Sequence, residues 1–262
     1  ILDGQASIPR LVDKAMADGM KGIAVTDHGD MFGIKEFFNY VNKKNGGTNG
    51  EIKDLKKKIA ALESGKEESE NPEAEIAACK EQLEAAKKKL FKPIFGCEMY
   101  VARRRLEDKE GKPDQSGYHL VVLAKNLKGY HNLIKLVSKA WTKGFYMRPR
   151  TELEKYHEGL IVCSACLGGE VPRRITAGQF EEAEEAIRWY KNLFGDDYYL
   201  ELQRHKATVP RANHEVYPMQ QVVNEKLIEY AKKYCHNSPS VEEIQYQAGM
   251  YERRTLCGRG KC

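Results

Sequence analysis

Four side chains capable of chemistry, His28, Glu98, His119 and Cys166, stand where the neighbouring sequence gives little reason for them. His28 follows the apolar run of residues 22–26, and Cys166 lies just past the run that ends at Ser164. Glu98 and His119 fall inside segments that otherwise exclude charge. Singly, each has an ordinary explanation: a histidine in a strand is most often a hydrogen-bonded core residue, and a buried glutamate can pair with an arginine such as Arg103. Together, imidazole, carboxylate and thiolate make a donor set suited to zinc, manganese or iron. A cluster of two or three such ions activates water and stabilises in-line displacement at phosphorus. Side chains so far apart in sequence meet only if the fold brings strand ends to one face, as parallel α/β architectures do.

Other chemistries find less support. The sequence has no Walker-type phosphate loop, no GxGxxG after a strand, no GxSxG elbow and no HExxH helix. Cys163 and Cys166 form a CxxC, but a redox dithiol belongs at a helix N-terminus and Cys163 lies in an apolar strand pattern. A structural zinc site needs a second pair, and Cys257 and Cys262 are loosely spaced.

The elements that must position these groups are read from periodicity. Residues 9–20 carry Leu11, Val12, Ala15, Met16 and Met20 at helical spacing, with Ser7 as the N-cap and Pro9 in the first turn. Residues 22–26 form a buried strand that runs into the polar tip Asp27-His28-Gly29-Asp30, and residues 34–41 form the next helix. Further strands fit residues 94–101, 118–124, 159–164 and 198–202, with helices over 130–141, 180–194 and 219–234. Strands separated by helices predict a mostly parallel sheet or barrel. Residues 51–90 differ: Ile52, Leu55, Ile59 and Leu62, then Ile76, Cys79, Leu83, Ala86 and Leu90, step by threes and fours among Lys and Glu. That spacing predicts an antiparallel helical hairpin, inserted over about residues 47–92, whose mixed charges form a solvated face.

The chain has 262 residues, 41% hydrophobic and 31% charged, with a mean hydropathy of −0.63. It can bury a sizeable core and has no apolar run long enough to span a bilayer. No signal-peptide pattern opens it, so a cytoplasmic setting without membrane partners is expected. The net charge of +5 is mild and spread along the chain. Seven cysteines without secretory features predict thiols or metal ligands and not a disulfide framework.

Five segments carry a resemblance in register: Leu2-Asp3-Gly4, Gly22-Ile23-Ala24-Val25-Thr26-Asp27-His28-Gly29, Phe95-Gly96-Cys97-Glu98, Tyr118-His119-Leu120-Val121-Val122-Leu123-Ala124, and Leu160-Ile161-Val162-Cys163-Ser164-Ala165-Cys166-Leu167. In order, they resemble motifs of the polymerase and histidinol phosphatase (PHP) domain. Gly129-Tyr130-His131-Asn132-Leu133 and Lys139-Ala140-Trp141 are similar to the branch at the amino terminus of bacterial replicative DNA polymerases. The resemblance covers residues 1–234 apart from the hairpin and leaves 235–262 as a tail that does not match. It implies a distorted, seven-stranded (β/α)-type barrel, here incomplete, with a metal cluster at the C-terminal strand ends. The family pattern has nine ligands for up to three metals, and the positions matching here are Asp3, His28, Glu98, His119 and Cys166. The implied cofactors are divalent zinc, manganese or iron. The implied partners are DNA, other domains and subunits of the polymerase, and a proofreading exonuclease.

The sequence also departs from that pattern. The family's His-x-His lies ahead of the Leu-Asp-Gly motif, beyond where this chain starts at Ile1, and no Asp-x-His follows the last helix, since Asp197 is the last aspartate. Four of nine ligands are therefore missing, and Cys235 and His236 do not match the motif. The expectation is a truncated domain that holds metal weakly and is inactive as an enzyme on its own, with unpaired sheet edges. Three functions fit: a fragment of a replicative polymerase whose intact domain is a metal-dependent 3′-to-5′ exonuclease, a non-catalytic platform for a proofreading exonuclease, or a free-standing phosphatase. Contact with DNA would run through Arg103, Arg104, Arg105, Lys143, Arg148 and Arg150. The nucleotidyl-transfer site of a polymerase is not expected in this region.

Overall fold

A computed structural model describes residues 7–67, 69–102, 117–142, 147–148, 150–204 and 216–234. Asp3, Arg103, Arg104, Arg105, Lys143, Cys235, His236, Cys257 and Cys262 lie outside the described residues. The chain divides into two compact units, Ile1–Ile23 with Ile34–Pro93, and Ala24–Gly33 with Ile94–Cys262. No helix among the described residues is long and apolar enough to cross a membrane.

The first unit is mostly helical. Helix α1 (Ile8–Ala17) buries Val12 and Ala15. Ser7 occupies its N-cap with extended backbone but makes no side-chain cap bond, so the fixed φ of Pro9 shapes the first turn. After strand β1 (Gly22–His28), helix α2 (Ile34–Lys44) runs one turn beyond the expected end and buries Ile34, Phe37 and Val41. The buried Asn45 then donates through Nδ2 to the Phe91 carbonyl at 2.8 Å and accepts the Phe91 N–H at 3.1 Å. That reciprocal pair satisfies two backbone groups that burial would otherwise penalise by roughly 1–3 kcal/mol each. Helices α3 (Gly46–Glu63) and α4 (Pro72–Lys89) pack through Ile59, Cys79 and Leu83, flanked by Ile52, Leu55 and Ile76. Asn71 starts α4 by accepting the Ala74 N–H at 3.3 Å, with Pro72 in its first turn.

The second unit is organised by a mixed sheet. Strands β2 (Lys92–Val101), β3 (Tyr118–Ala124), β4 (Met147–Arg148), β5 (Leu160–Cys163) and β6 (Tyr198–Tyr199) join β1 in the order β1-β2-β3-β5-β6, with β4 beside β2. Among the described residues this sheet is not closed into a barrel. The expectation of a mostly parallel sheet is corrected: β2 with β3 and β3 with β5 are antiparallel, and β5–β6 and β2–β4 are parallel. The reason lies in the connection. Helices α5 (Leu127–Thr142) and α6 (Arg150–Tyr156) carry the chain away and back, so β5 begins where β3 ends, with Ala124 opposite Leu160. Gly129 and Gly159 meet at that turn: a Cβ on Gly129 would stand 1.7 Å from the Gly159 carbonyl oxygen.

Packing on one face of the sheet forms the main core. Cys97, Met99 and Val101 of β2, Leu120 and Val122 of β3, and Leu160 and Val162 of β5 are all buried there. Onto them pack Leu133 and Leu136 of α5, Val171 and Ile175 of α7 (Glu170–Thr176), and Ala183, Ala186, Ile187 and Tyr190 of α8 (Phe180–Phe194). Helix α9 (Tyr217–Tyr234) adds Val223, Leu227 and Tyr230. Each large aliphatic side chain buried in this way contributes about 1.5–3 kcal/mol.

Candidate metal centre

The alternation that fills the core also builds the site. In a strand, every second side chain points to the same face, and directly opposed residues of an antiparallel pair share a face. Because Cys97, Met99 and Val101 fill the core, Glu98 and Tyr100 point the other way. Tyr100 is paired with His119 and Glu98 with Val121, so Glu98, Tyr100 and His119 share the face opposite the main core.

Glu98 is 1% exposed, a carboxylate buried between two imidazoles. Its Oε2 lies 2.9 Å from His28 Nδ1 and its Oε1 3.0 Å from His119 Nδ1. Arg103, weighed on sequence as a partner of Glu98, lies outside the described residues. His28 is brought in at the end of β1, where the Gly29 N–H donates to the Glu98 carbonyl at 2.9 Å. Gly29 adopts φ +71°, a turn into the loop that few other residues take without strain. Cys166 arrives from the loop after β5, its Sγ 3.3 Å from His119 Nδ1.

Donor atoms of Glu98, His119 and Cys166 all lie within 4.8 Å of one another. Metal–ligand bonds of about 2.0–2.3 Å at tetrahedral angles put neighbouring donors roughly 3.3–3.8 Å apart. The three groups are thus spaced to share one ion with little movement, and carboxylate, imidazole and thiolate suit a divalent ion such as zinc. His28, exposed over about half its side chain, reaches the same carboxylate from the open side. Residues from β1, β2, β3 and the loop after β5 come together here, and Asp3 is outside the described residues.

The same contacts set the electrostatics. Hydrogen bonding to Cys166, and next to Glu98, outweighs burial and raises the His119 imidazole from its ordinary 6.5 to about 9. Burial, and next to it the charge of Glu201, pushes the Cys163 thiol up to about 12, the opposite of what a redox nucleophile needs. The two cysteines of the CxxC therefore sit in different surroundings. Arg150, expected among the DNA-contacting residues, is committed internally, donating to Glu170 at 2.6 Å with its guanidinium 4.6 Å from the Trp189 ring centroid.

Two supporting residues were missed on sequence. Tyr100 Oη lies 3.3 Å from His28 Nδ1, and its ring meets the His119 ring edge-on at a centroid distance of 5.0 Å. Its position two residues after Glu98 is the signal that marks it, since both fall on one strand face. Gly168 is the second: a Cβ there would stand 2.8 Å from His119 Nδ1, so only glycine lets that ring lie against the loop.

Over residues 1–205 the chain matches the PHP domain family. The chain belongs to that family. Among its curated relatives is the DNA polymerase III subunit alpha of Borreliella burgdorferi, 37% identical over 237 residues, covering 89% of this chain and 16% of that protein. The same-named protein of Treponema pallidum is 36% identical over 210 residues, covering 78% and 14%. That of Aquifex aeolicus is 32% identical over 255 residues, covering 94% and 17%. The chain thus spans about a sixth of the length of the curated relatives it matches.

Proposed function

We propose that this chain is the PHP domain of a replicative DNA polymerase III alpha subunit, working in the cytoplasm on DNA beside the other parts of that polymerase. The chemistry of the intact domain is metal-dependent hydrolysis of a phosphodiester at a 3′ end, on a sheet that forms part of a distorted barrel. The observation that carries the reading is the convergence of Glu98, His119 and Cys166 donors within 4.8 Å of one another in a chain of this family.

Glu98, His119 and Cys166 would hold a divalent ion, with His28 beside them. A bound ion of this kind supplies Lewis acidity toward a phosphoryl oxygen and a water of lowered pKa. The protein's part is to fix the donors. Burial of Glu98 between two imidazoles holds both of its oxygens in place. Tyr100 lies against His28, and the loop after β5 keeps the thiol against His119. Holding these donors before the ion arrives reduces the ordering cost of binding.

The test is zinc- or manganese-dependent release of nucleotides from a 3′-labelled single strand, comparing the parent with Glu98→Ala and His28→Ala. Loss of metal-dependent release in Glu98→Ala, with weakened metal uptake in the same variant, supports the proposal. Equal rates in all three proteins overturn it.

A further inference from the structure

The loop that leaves β1 presents an aromatic surface beside the metal centre that the metal chemistry does not use. Phe32 is 81% exposed, the most exposed large apolar side chain among the described residues, and Trp141 is 49% exposed. Their ring centroids are 6.3 Å apart. A single exposed phenylalanine is unremarkable, but two adjacent aromatic rings held by a rigid loop form a surface. The Phe32 N–H donates to Asp30 Oδ1 at 3.0 Å, and the Gly33 N–H donates to Asp27 Oδ2 at 2.8 Å. Trp141 Nε1 donates to the Gly29 carbonyl at 3.1 Å, and the Gly29 N–H donates in turn to the Glu98 carbonyl. The aromatic pair is thus fastened to the residue after His28 and, through it, to the strand that carries Glu98.

Resting on the reading of the site as a phosphodiesterase of DNA ends, we propose that Phe32 and Trp141 form a stacking platform for the terminal base of a single-stranded 3′ end. Bases stack on exposed aromatic rings with little regard to sequence, which is what an enzyme that removes nucleotides of any kind requires. A phosphodiester at the donor cluster carries its base on the adjoining sugar, and the platform is anchored one residue from His28, where Trp141 donates to the Gly29 carbonyl, with Phe32 four residues on. The tilted, closely spaced rings leave no slot for a base between them, so the base lies across their exposed faces.

The test is fluorescence titration of the chain with single-stranded oligonucleotides bearing 2-aminopurine at the 3′ terminus, with chelator present so that no hydrolysis occurs. Binding to the parent is expected to quench the terminal fluorophore. Phe32→Ala should weaken binding by about tenfold, within the roughly 5- to 150-fold range of one base–aromatic stack. Phe32→Trp should restore it. An oligonucleotide with an abasic 3′ terminus should bind the parent as weakly as the intact strand binds Phe32→Ala. Absence of quenching with the parent, unchanged affinity in Phe32→Ala, or a Phe32→Ala loss as large for the abasic strand, read by competition, as for the intact one overturns the platform. The titration needs no metal, so quenching that persists in a chain unable to take up zinc overturns the proposed hydrolysis alone.

Discussion

Proton competition at His119 gives the sharpest quantitative test of the metal centre. To ligate a metal through the nitrogen that faces Glu98 and Cys166, the imidazole must be neutral. In the metal-free chain its contacts with Cys166 and Glu98 hold the pKa at about 9. At pH 7 only about one molecule in a hundred then carries neutral His119, so the proton weakens metal binding by roughly 100-fold. The apparent association constant should climb about tenfold for each pH unit between 7 and 8 and level off near 9. An unperturbed imidazole with a pKa near 6.5 would give only about a 1.3-fold gain over the whole span from pH 7 to pH 9. The assay is competition between the chain and a chromophoric chelator for zinc at pH 7 and pH 8, with proton release counted by calorimetry in two buffers of different ionisation enthalpy. At least one proton should leave per ion bound at pH 7, and any proton lost by the Cys166 thiol steepens the slope. Affinity that stays flat between the two pH values, or binding with no proton release, would refute the placement of His119 in the ligand set.

The raised pKa of His119 also predicts that the metal-free chain loses stability as pH rises. The stabilisation is complete below the unfolded value of about 6.5 and fades as pH passes the folded value of about 9, so the urea midpoint in chelator should fall between pH 6.5 and 9.5, and His119→Asn should flatten that fall. Gly129→Ala should destabilise by about 3 kcal/mol or more in denaturant melts, because its Cβ would overlap the Gly159 carbonyl, whereas Gly50→Ala, with open space around it in α3, should stabilise by about 0.5–1 kcal/mol. Cys163, its thiol pushed up to about 12, should resist iodoacetamide at pH 8 in the folded chain and react at an ordinary rate in urea, as read by mass spectrometry of the labelled peptide. Fast labelling of Cys163 in the native state would contradict the raised pKa of its thiol.

Element type was legible in the sequence, and element direction was not. The apolar run 118–124 becomes β3 and the period-3.6 face of Ala183, Ala186, Ile187 and Tyr190 becomes α8, because side-chain periodicity is a local property. Whether β5 runs with or against β3 depends on how α5 and α6 return the chain, which no local window contains. The site was partly legible for the same reason. Glu98 and His119 announce themselves by breaking apolar runs, and the period of 2 turns both away from the core. That they face each other is a matter of register between β2 and β3. Cys163 and Cys166 form one motif in sequence, yet the structure separates a thiol silenced by burial from one placed against His119.

How Cys166 reaches His119 shows where the fold stores strain at the centre. Ala165 is buried with φ +62°, a left-handed conformation that costs a non-glycine residue about 1–2 kcal/mol. Immediately after it the chain doubles back: the Gly169 N–H donates to the Cys166 carbonyl at 2.7 Å, and the Gly168 N–H points at Cys166 Sγ at 3.4 Å. The His119 N–H then donates to the Gly168 carbonyl at 3.0 Å, which fastens the loop to β3. A Cβ on Gly169 would lie 2.1 Å from the Ser164 carbonyl oxygen, so the turn closes this tightly only with glycine there. The backbone bonds offset the strain at Ala165 and hold the thiol against the imidazole without any ion. Relaxing Ala165 to glycine would remove the local strain but loosen the unfolded chain, so the gain from the left-handed residue is partly cancelled and the placement of the thiol is left to the two glycines and the strand they clasp.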